Sequence, residues 1–206
     1  MEILNTTATT PVTEPTSSVT ADQLQLAQEV GHAVRAALDT IEARGYPVRL
    51  RHAGDYVIAF YTTPAQGGYG PGHGLRWYDA APDATTHFAV VVLDAVDSRF
   101  VPGLDVELEV WWGDRLMTTR LPFEWDPVAH HYGIDAALPD ARRFSVVIRI
   151  EAPTFQRHDQ VNGLRYTKPV VVTLPAVEIV QGRGARPHTA SRGTDGSVAR
   201  RSRRSR

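Results

Sequence analysis

Alternation of apolar and polar residues with a period of two is the feature that most constrains this chain. Segments 105–111 and 143–151 show it most clearly, with Val, Leu, Ile or Phe at every second position. Because neighbouring side chains of a strand point to opposite faces, each segment predicts a strand with one face in a core. Further strands are predicted at Tyr46–Arg51, Asp55–Thr62, Thr86–Ala95, Arg115–Pro122, Pro169–Leu174 and Val177–Gln181. Short strands separated by turn residues, without helices between them, favour an all-β antiparallel sandwich over residues 46–181.

One helix is predicted before the strands. Thr20 and Gln23 have capping-box spacing, and apolar residues recur at steps of three and four until Gly45 and Pro47. We therefore expect an amphipathic helix within 20–45, with helical residues 21–44. Its apolar stripe covers either the sandwich or a second copy of itself, because a lone helix of this length is marginally stable in water.

The two ends differ from the body in composition and charge. Residues 1–19 are rich in Thr, Ser and Pro, and we expect a disordered leader. Residues 181–206 contain eight arginines and one aspartate, a net charge of +7, which leaves −8 for residues 1–180. A disordered Arg-rich tail is predicted over 182–206. Two interpretations stay open, a solvated tail without a dedicated partner or a tail that contacts an anionic partner.

Histidines stand out against this strand-rich background. His87 opens a strand on the same face as Ala89, the loop Glu124–Gly133 contains His130 and His131, and His158 follows a later strand. The chain has no cysteine, so imidazole and carboxylate would have to hold any metal. The alternative is a sandwich with hydrogen-bonded core histidines and no ion.

These residues resemble the periplasmic iron-transport protein family over residues 86–174. The elements that match, in order, are His87, then His131 with Tyr132 and Gly133, then Arg157 with His158. Members of that family are small secreted Ig-like sandwiches that bind copper and are implicated in iron uptake. The resemblance implies an Ig-like β-sandwich, a homodimer, and a divalent metal site built from His87, Glu124, His131 and His158.

Two departures from the family pattern bear on the metal. Ala89 stands where the family has the glutamate of a His-x-Glu element, and Glu124 stands where it has methionine. A hard oxygen in place of a thioether shifts preference from Cu(I) toward Cu(II), Zn(II), Fe(II) or Mn(II). We expect copper or iron, with zinc or manganese also possible, bound between the two sheets. His130 competes with His131, since adjacent strand residues point opposite ways.

The function that these observations favour is metal handling or delivery, without enzymatic turnover. The chain contains no GxSxG, Walker-type loop, HExxH or Cys-His pair. The alternative is a metal-free interaction module, in which Trp111 and Trp112 with the glycine-rich loop 67–74 bind a protein or ligand. No run of 18 apolar residues and no basic-then-apolar leader is present, which predicts a cytoplasmic protein.

Overall fold

The structure is a computed structural model that describes residues 13–70, 74–127, 129–141 and 143–184. It contains one α-helix and eleven strands in this described part. The helix α1 spans Ala21–Ala43, and the strands are β1 (Arg49–Ala53), β2 (Tyr56–Thr63), β3 (Gly68–Gly70), β4 (Arg76–Tyr78), β5 (Thr86–Asp94), β6 (Val106–Trp112), β7 (Arg115–Arg120), β8 (Phe123–Glu124), β9 (His131–Ala136), β10 (Phe144–Ile150) and β11 (Val170–Val177). A short 3₁₀ turn spans Asn162–Leu164.

Two antiparallel sheets form a sandwich, which confirms the predicted fold class. The five-stranded sheet has the order β1-β2-β5-β9-β8, and the four-stranded sheet has the order β11-β10-β6-β7. Strands β3 and β4 form a separate hairpin. Alternate residues of β2 and β5 meet those of β6, β10 and β11 in the core between the sheets.

A second core covers the outer face of the five-stranded sheet. Leu38 and Ile41 of α1 pack there against a cluster from the two central strands, namely Val57, Ala59, Tyr61, Ala89, Val91 and Leu93. Strands β2 and β5 are therefore buried along their whole length. This resolves the alternative left open for the apolar stripe of α1, because it packs on its own sandwich.

Most predicted elements are present, with informative differences. The helix begins after the predicted capping box, in which Thr20 and Gln23 each bond the other's backbone. The strand predicted at 169–174 is present as part of β11, which ends at Val177, so residues 178–181 of the strand predicted at 177–181 are not in a strand. The loop predicted at 122–133 contains β8 and the start of β9, and the glycine-rich segment contributes β3 and β4. These short strands have little period-two pattern of their own. β9 pairs with the long strand β5 and β8 pairs with β9, whereas β3 and β4 pair with each other.

Short parts of the two ends for which disorder is predicted lie within the described residues and bond to the rest of the chain. Thr16 donates to the Asp159 carboxylate at 2.5 Å, and the Glu14 amide donates to the Asn162 side chain at 3.1 Å. The Gly182 amide donates to the Thr85 carbonyl at 2.6 Å. Residues 13–19 and 182–184 are thus attached to the sandwich, while residues 1–12 and 185–206 lie outside the described residues. Within that described part, no helix combines the length and apolarity needed to span a bilayer.

We expect Gly31→Ala to destabilise the fold. A Cβ at position 31 would lie 1.5 Å from the backbone carbonyl oxygen of Asp97, so α1 or the loop after β5 would have to move. Such overpacking costs about 1–3 kcal/mol. The direction of the change in unfolding free energy tests this packing, because the higher helix propensity of alanine alone would stabilise the fold by about 1 kcal/mol. Urea unfolding measures it, and an unchanged or higher midpoint would contradict this packing.

Candidate metal centre

Two histidines lie on the neighbouring strands β5 and β9 of the five-stranded sheet. His87 is the second residue of β5, and His131 is the first residue of β9. Both are buried, at 7% and 6% exposure. The side chains of Phe88 and Tyr132 lie in the core between the sheets, so the alternation of the strands puts both imidazoles on the opposite face. This face is the one that α1 covers further along the sheet.

The strand register sets a carboxylate opposite each imidazole. His87 pairs with Asp135 across β5 and β9, and Glu124 pairs with His131 across β8 and β9. Directly opposite residues have Cβ atoms about 4.5–5.5 Å apart, within reach of a side-chain hydrogen bond or a shared ion. Two histidines and two carboxylates are therefore collected by sheet pairing alone.

Gly133 leaves the space in which the two imidazoles meet. It lies between His131 and Asp135 on the same face of β9, opposite Ala89 of β5. A Cβ at this position would lie 2.8 Å from His87 Nε2 and 2.7 Å from His131 Cδ2. Any side chain would separate the rings, so glycine is required here by space.

The donor atoms of three residues converge on one point. The Nε2 atoms of His87 and His131 are 3.0 Å apart. Glu124 Oε2 lies 3.7 Å from His87 Nε2 and 3.6 Å from His131 Nε2. A point equidistant from atoms with these separations is about 2.0 Å from each, which matches metal–imidazole bonds of about 2.0–2.1 Å. Within the described residues, this is the His and carboxylate group that could hold an ion.

Hydrogen bonds decide which nitrogens carry protons. His131 Nδ1 donates to the carbonyl oxygen of Ala129 at 2.9 Å, and a carbonyl can only accept. His87 Nδ1 donates to Asp135 Oδ1 at 2.9 Å. In the neutral rings, both Nε2 atoms then present lone pairs to each other at 3.0 Å, which is repulsive unless a cation lies between them. The pair is therefore arranged for a proton or a metal ion.

Electrostatics around the group favour positive charge. Burial acts to lower the pKa of His131, but the nearby carboxylate of Glu124 and the hydrogen bond to the Ala129 carbonyl outweigh it, so that the pKa is raised. Burial acts to raise the pKa of Asp135, yet hydrogen bonds from His87 and the Gly67 amide lower it. Burial and the charges of Asp126 and Glu124 raise the pKa of Tyr61, whose ring is 6.2 Å from that of His131.

The structure brings together three of the four residues predicted as ligands. His87, Glu124 and His131 form the group, whereas His158 is exposed beside the 3₁₀ turn and does not join it. His130 is exposed and packs among Phe100, Phe123 and Trp125, so His131 is the histidine that faces the site. The prediction of a site between the sheets is wrong, because the alternation of β5 and β9 places it on the outer face of one sheet.

Sequence reasoning missed Asp135 and the role of Gly133. The signal that could have found them is the spacing 131, 133 and 135, which shares one face of a strand. It was missed because a loop is predicted up to Gly133 and no strand is predicted over the next residues. Asp135 holds the far nitrogen of His87, as carboxylates behind metal-binding histidines commonly do.

Comparison with known proteins gives matches among solved structures. No family model and no curated relative matches the chain. FetP from uropathogenic Escherichia coli strain F11 matches with a TM-score of 0.55 and 17% identity, over 66% of this chain and 95% of FetP. Copper-reconstituted P19 from Campylobacter jejuni matches with a TM-score of 0.56 and 15% identity, over 68% of this chain and 98% of P19. A copper-bound variant of FetP matches with a TM-score of 0.54. The predicted resemblance is thus confirmed in the fold.

The same comparison corrects the predicted location. FetP in the matching structure was recombinantly expressed in the periplasm of Escherichia coli BL21(DE3), which conflicts with a cytoplasmic location. The prediction of a cytoplasmic protein is therefore wrong. It rested on a missing leader pattern, and such an absence does not place a protein in a compartment.

We expect Gly133→Ala to destabilise the fold and to separate the two imidazoles. The added methyl group meets two rings and the Phe88 carbonyl oxygen, each closer than 3 Å. Overpacking of this kind costs about 1–3 kcal/mol. The matched control is Gly68→Ala in β3, whose Cβ would meet nothing within 4 Å. Denaturant unfolding of both variants measures the difference, and equal midpoints would show that the rings do not meet over Gly133.

Proposed function

We propose that this protein binds one divalent transition-metal ion, copper or iron, through His87, Glu124 and His131, and acts in metal handling or delivery. The observation that carries the proposal is the arrangement of three donor atoms. The Nε2 atoms of His87 and His131, each with a lone pair, are 3.0 Å apart, and Glu124 Oε2 lies at a distance from both that allows all three to bind one ion. Two nitrogens and one oxygen are donors that Cu(II), Zn(II), Fe(II) and Mn(II) accept. The copper-bound forms of FetP and P19 support copper among these ions.

Binding and release suit this donor set better than a permanent structural role. Structural zinc sites are closed by four protein ligands, whereas three protein donors leave a position for water or an incoming ligand. The side chain of Glu124 is 40% exposed, so the group has a solvent-facing side through which an ion can exchange. We propose no catalytic turnover, and the homodimer stays a prediction.

A metal-free interaction module is the second candidate. Trp112, proposed for its binding surface, is partly buried and packs against Phe144 at 6.3 Å between ring centroids, and Trp111 is 36% exposed. The observation in favour of this candidate is the hairpin of β3 and β4, where Tyr69, Leu75 and Tyr78 are exposed. Elemental analysis of protein made without a histidine tag separates the candidates, since stoichiometric metal supports the first and none after reconstitution supports the second.

We expect the His87→Ala, His131→Ala double variant to lose the ion that the wild type binds. The two substitutions remove both nitrogens of the triangle and leave one carboxylate, which is too few donors for tight binding. Titration with Cu(II) and Zn(II) measures stoichiometry, and circular dichroism checks the fold. His130→Ala is the control, because His130 is exposed and outside the group. Equal stoichiometry in the double variant and the wild type would refute the site.

We expect Glu124→Met to change the choice of metal. A thioether favours Cu(I), whereas the carboxylate favours harder divalent ions. Competition against chelators of known affinity should show tighter Cu(I) binding and at least tenfold weaker Mn(II) or Zn(II) binding than in the wild type. Unchanged relative affinities would mean that Glu124 does not coordinate the ion, even if the histidines do.

A further inference from the structure

The hairpin of β3 and β4 is an exposed aromatic element next to the candidate metal centre. Its strands pair from Gly68 with Tyr78 to Gly70 with Arg76, and the rings of Tyr69 and Trp77 meet edge to face at 5.1 Å. Leu75, Tyr69 and Tyr78 are 76%, 61% and 47% exposed. This aromatic hairpin, residues 66–70 and 74–79, follows directly from the end of β2.

One carboxylate joins this hairpin to the metal centre. Asp135 Oδ2 accepts from the Gly67 amide at 2.9 Å, and Oδ1 accepts from the Gln66 amide at 3.3 Å. Oδ1 also accepts from His87 Nδ1 at 2.9 Å. The side chain of Asp135 is 17% exposed, so water competes only weakly for these bonds. The first residues of the hairpin and the imidazole are thus held by the same group.

The geometry of Gly67 makes this connection stiff. Its φ of +73° is a conformation that residues other than glycine rarely adopt, and a Cβ here would lie 2.4 Å from the Tyr78 carbonyl oxygen. The backbone of Gly67 is therefore packed directly on β4. At the other end of the hairpin, the Arg183 guanidinium donates to the carbonyl oxygens of Ala80 and Pro82. A displacement of Asp135 would move the hairpin at its β2 end.

We infer that Asp135 is a positioning residue that couples metal binding at His87 to the placement of the aromatic hairpin. The inference rests on the proposed function, because an ion on Nε2 of His87 fixes the ring and polarises its Nδ1–H toward Asp135. The fixed carboxylate then holds the amides of Gln66 and Gly67. Coupling between two sites is reciprocal. The free energy by which metal binding stabilises the placement of the hairpin is therefore the free energy by which displacing the hairpin weakens metal binding.

The first test needs no variant. Amide hydrogen exchange of the wild type, with and without Zn(II), should slow at least threefold at Gln66 and Gly67 when the metal is bound. The amide of Gly45, which donates to Glu42 at the end of α1, is the internal control and should not change. Metal binding with unchanged exchange at Gln66 and Gly67 overturns the coupling and leaves the proposed function in place. A wild type that binds no metal overturns both.

The second test removes the connecting group. Asp135→Asn keeps the size of the side chain but has one acceptor oxygen and no charge, and we expect Zn(II) affinity to fall about 10- to 100-fold. Metal-dependent exchange at Gln66 and Gly67 should disappear. Nitrogen-15 spectra of the imidazoles should show the His87 proton on Nδ1 in the wild type and divided between both nitrogens in the variant.

Asp126→Asn is the matched control for charge. The charge of Asp126 raises the pKa of His131, and Asp126 Oδ1 accepts from the Ala129 amide at 3.0 Å. Loss of this charge alone should weaken binding by less than about fivefold. Equal losses in the two variants would mean that Asp135 acts by charge alone, which overturns its role as a positioning residue.

The third test acts from the hairpin side. Gly67→Ala displaces the hairpin without contact to either histidine, and we expect at least threefold weaker Zn(II) binding. Gly68→Ala is the control one residue away, where a methyl group meets nothing within 4 Å. Wild-type affinity in the folded Gly67→Ala variant overturns the inference.

Discussion

Burial of the two central strands on both faces is the constraint on which the rest of the structure depends. The second sheet covers one face of β2 and β5, and α1 covers the other. Each large apolar side chain that is fully buried contributes about 1.5–3 kcal/mol, so these strands dominate the stability of the sandwich. Polar side chains on β5 are consequently confined to its ends, where partners are available.

The two ends of β5 satisfy their buried polar groups in different ways. At one end, the carboxylate of Asp94 forms an ion pair with Arg165 at 2.5 Å and accepts hydrogen bonds from the amides of Val96 and Asp97. A buried charge with a full set of partners is what a structural network requires. At the other end, His87 and His131 present two lone pairs to each other. This difference is what makes one end of the strand the candidate binding site and the other part of the scaffold.

The strand register brings the polar residues of the candidate site together without any local sequence motif. The four polar residues come from three strands and were drawn together because His87 pairs with Asp135, and Glu124 with His131. FetP and P19 share the fold at 15–17% identity. In this chain, the carboxylate of Glu124 faces the two imidazoles, and a second carboxylate, that of Asp135, bonds both His87 and the Gly67 amide of an exposed hairpin.

The sequence by itself determined the long strands, β5 among them, and the capped helix, because period-two and period-3.6 patterns are local properties. It also named His87, Glu124 and His131, through the order of their segments. Only the tertiary structure decided which face of the sheet they share, that His158 stays apart, and that Asp135 and Gly133 belong to the centre. The reason is that β8 is only two residues long and takes its register from β9, while β9 takes its register from β5, which is separated from both by a long stretch of chain.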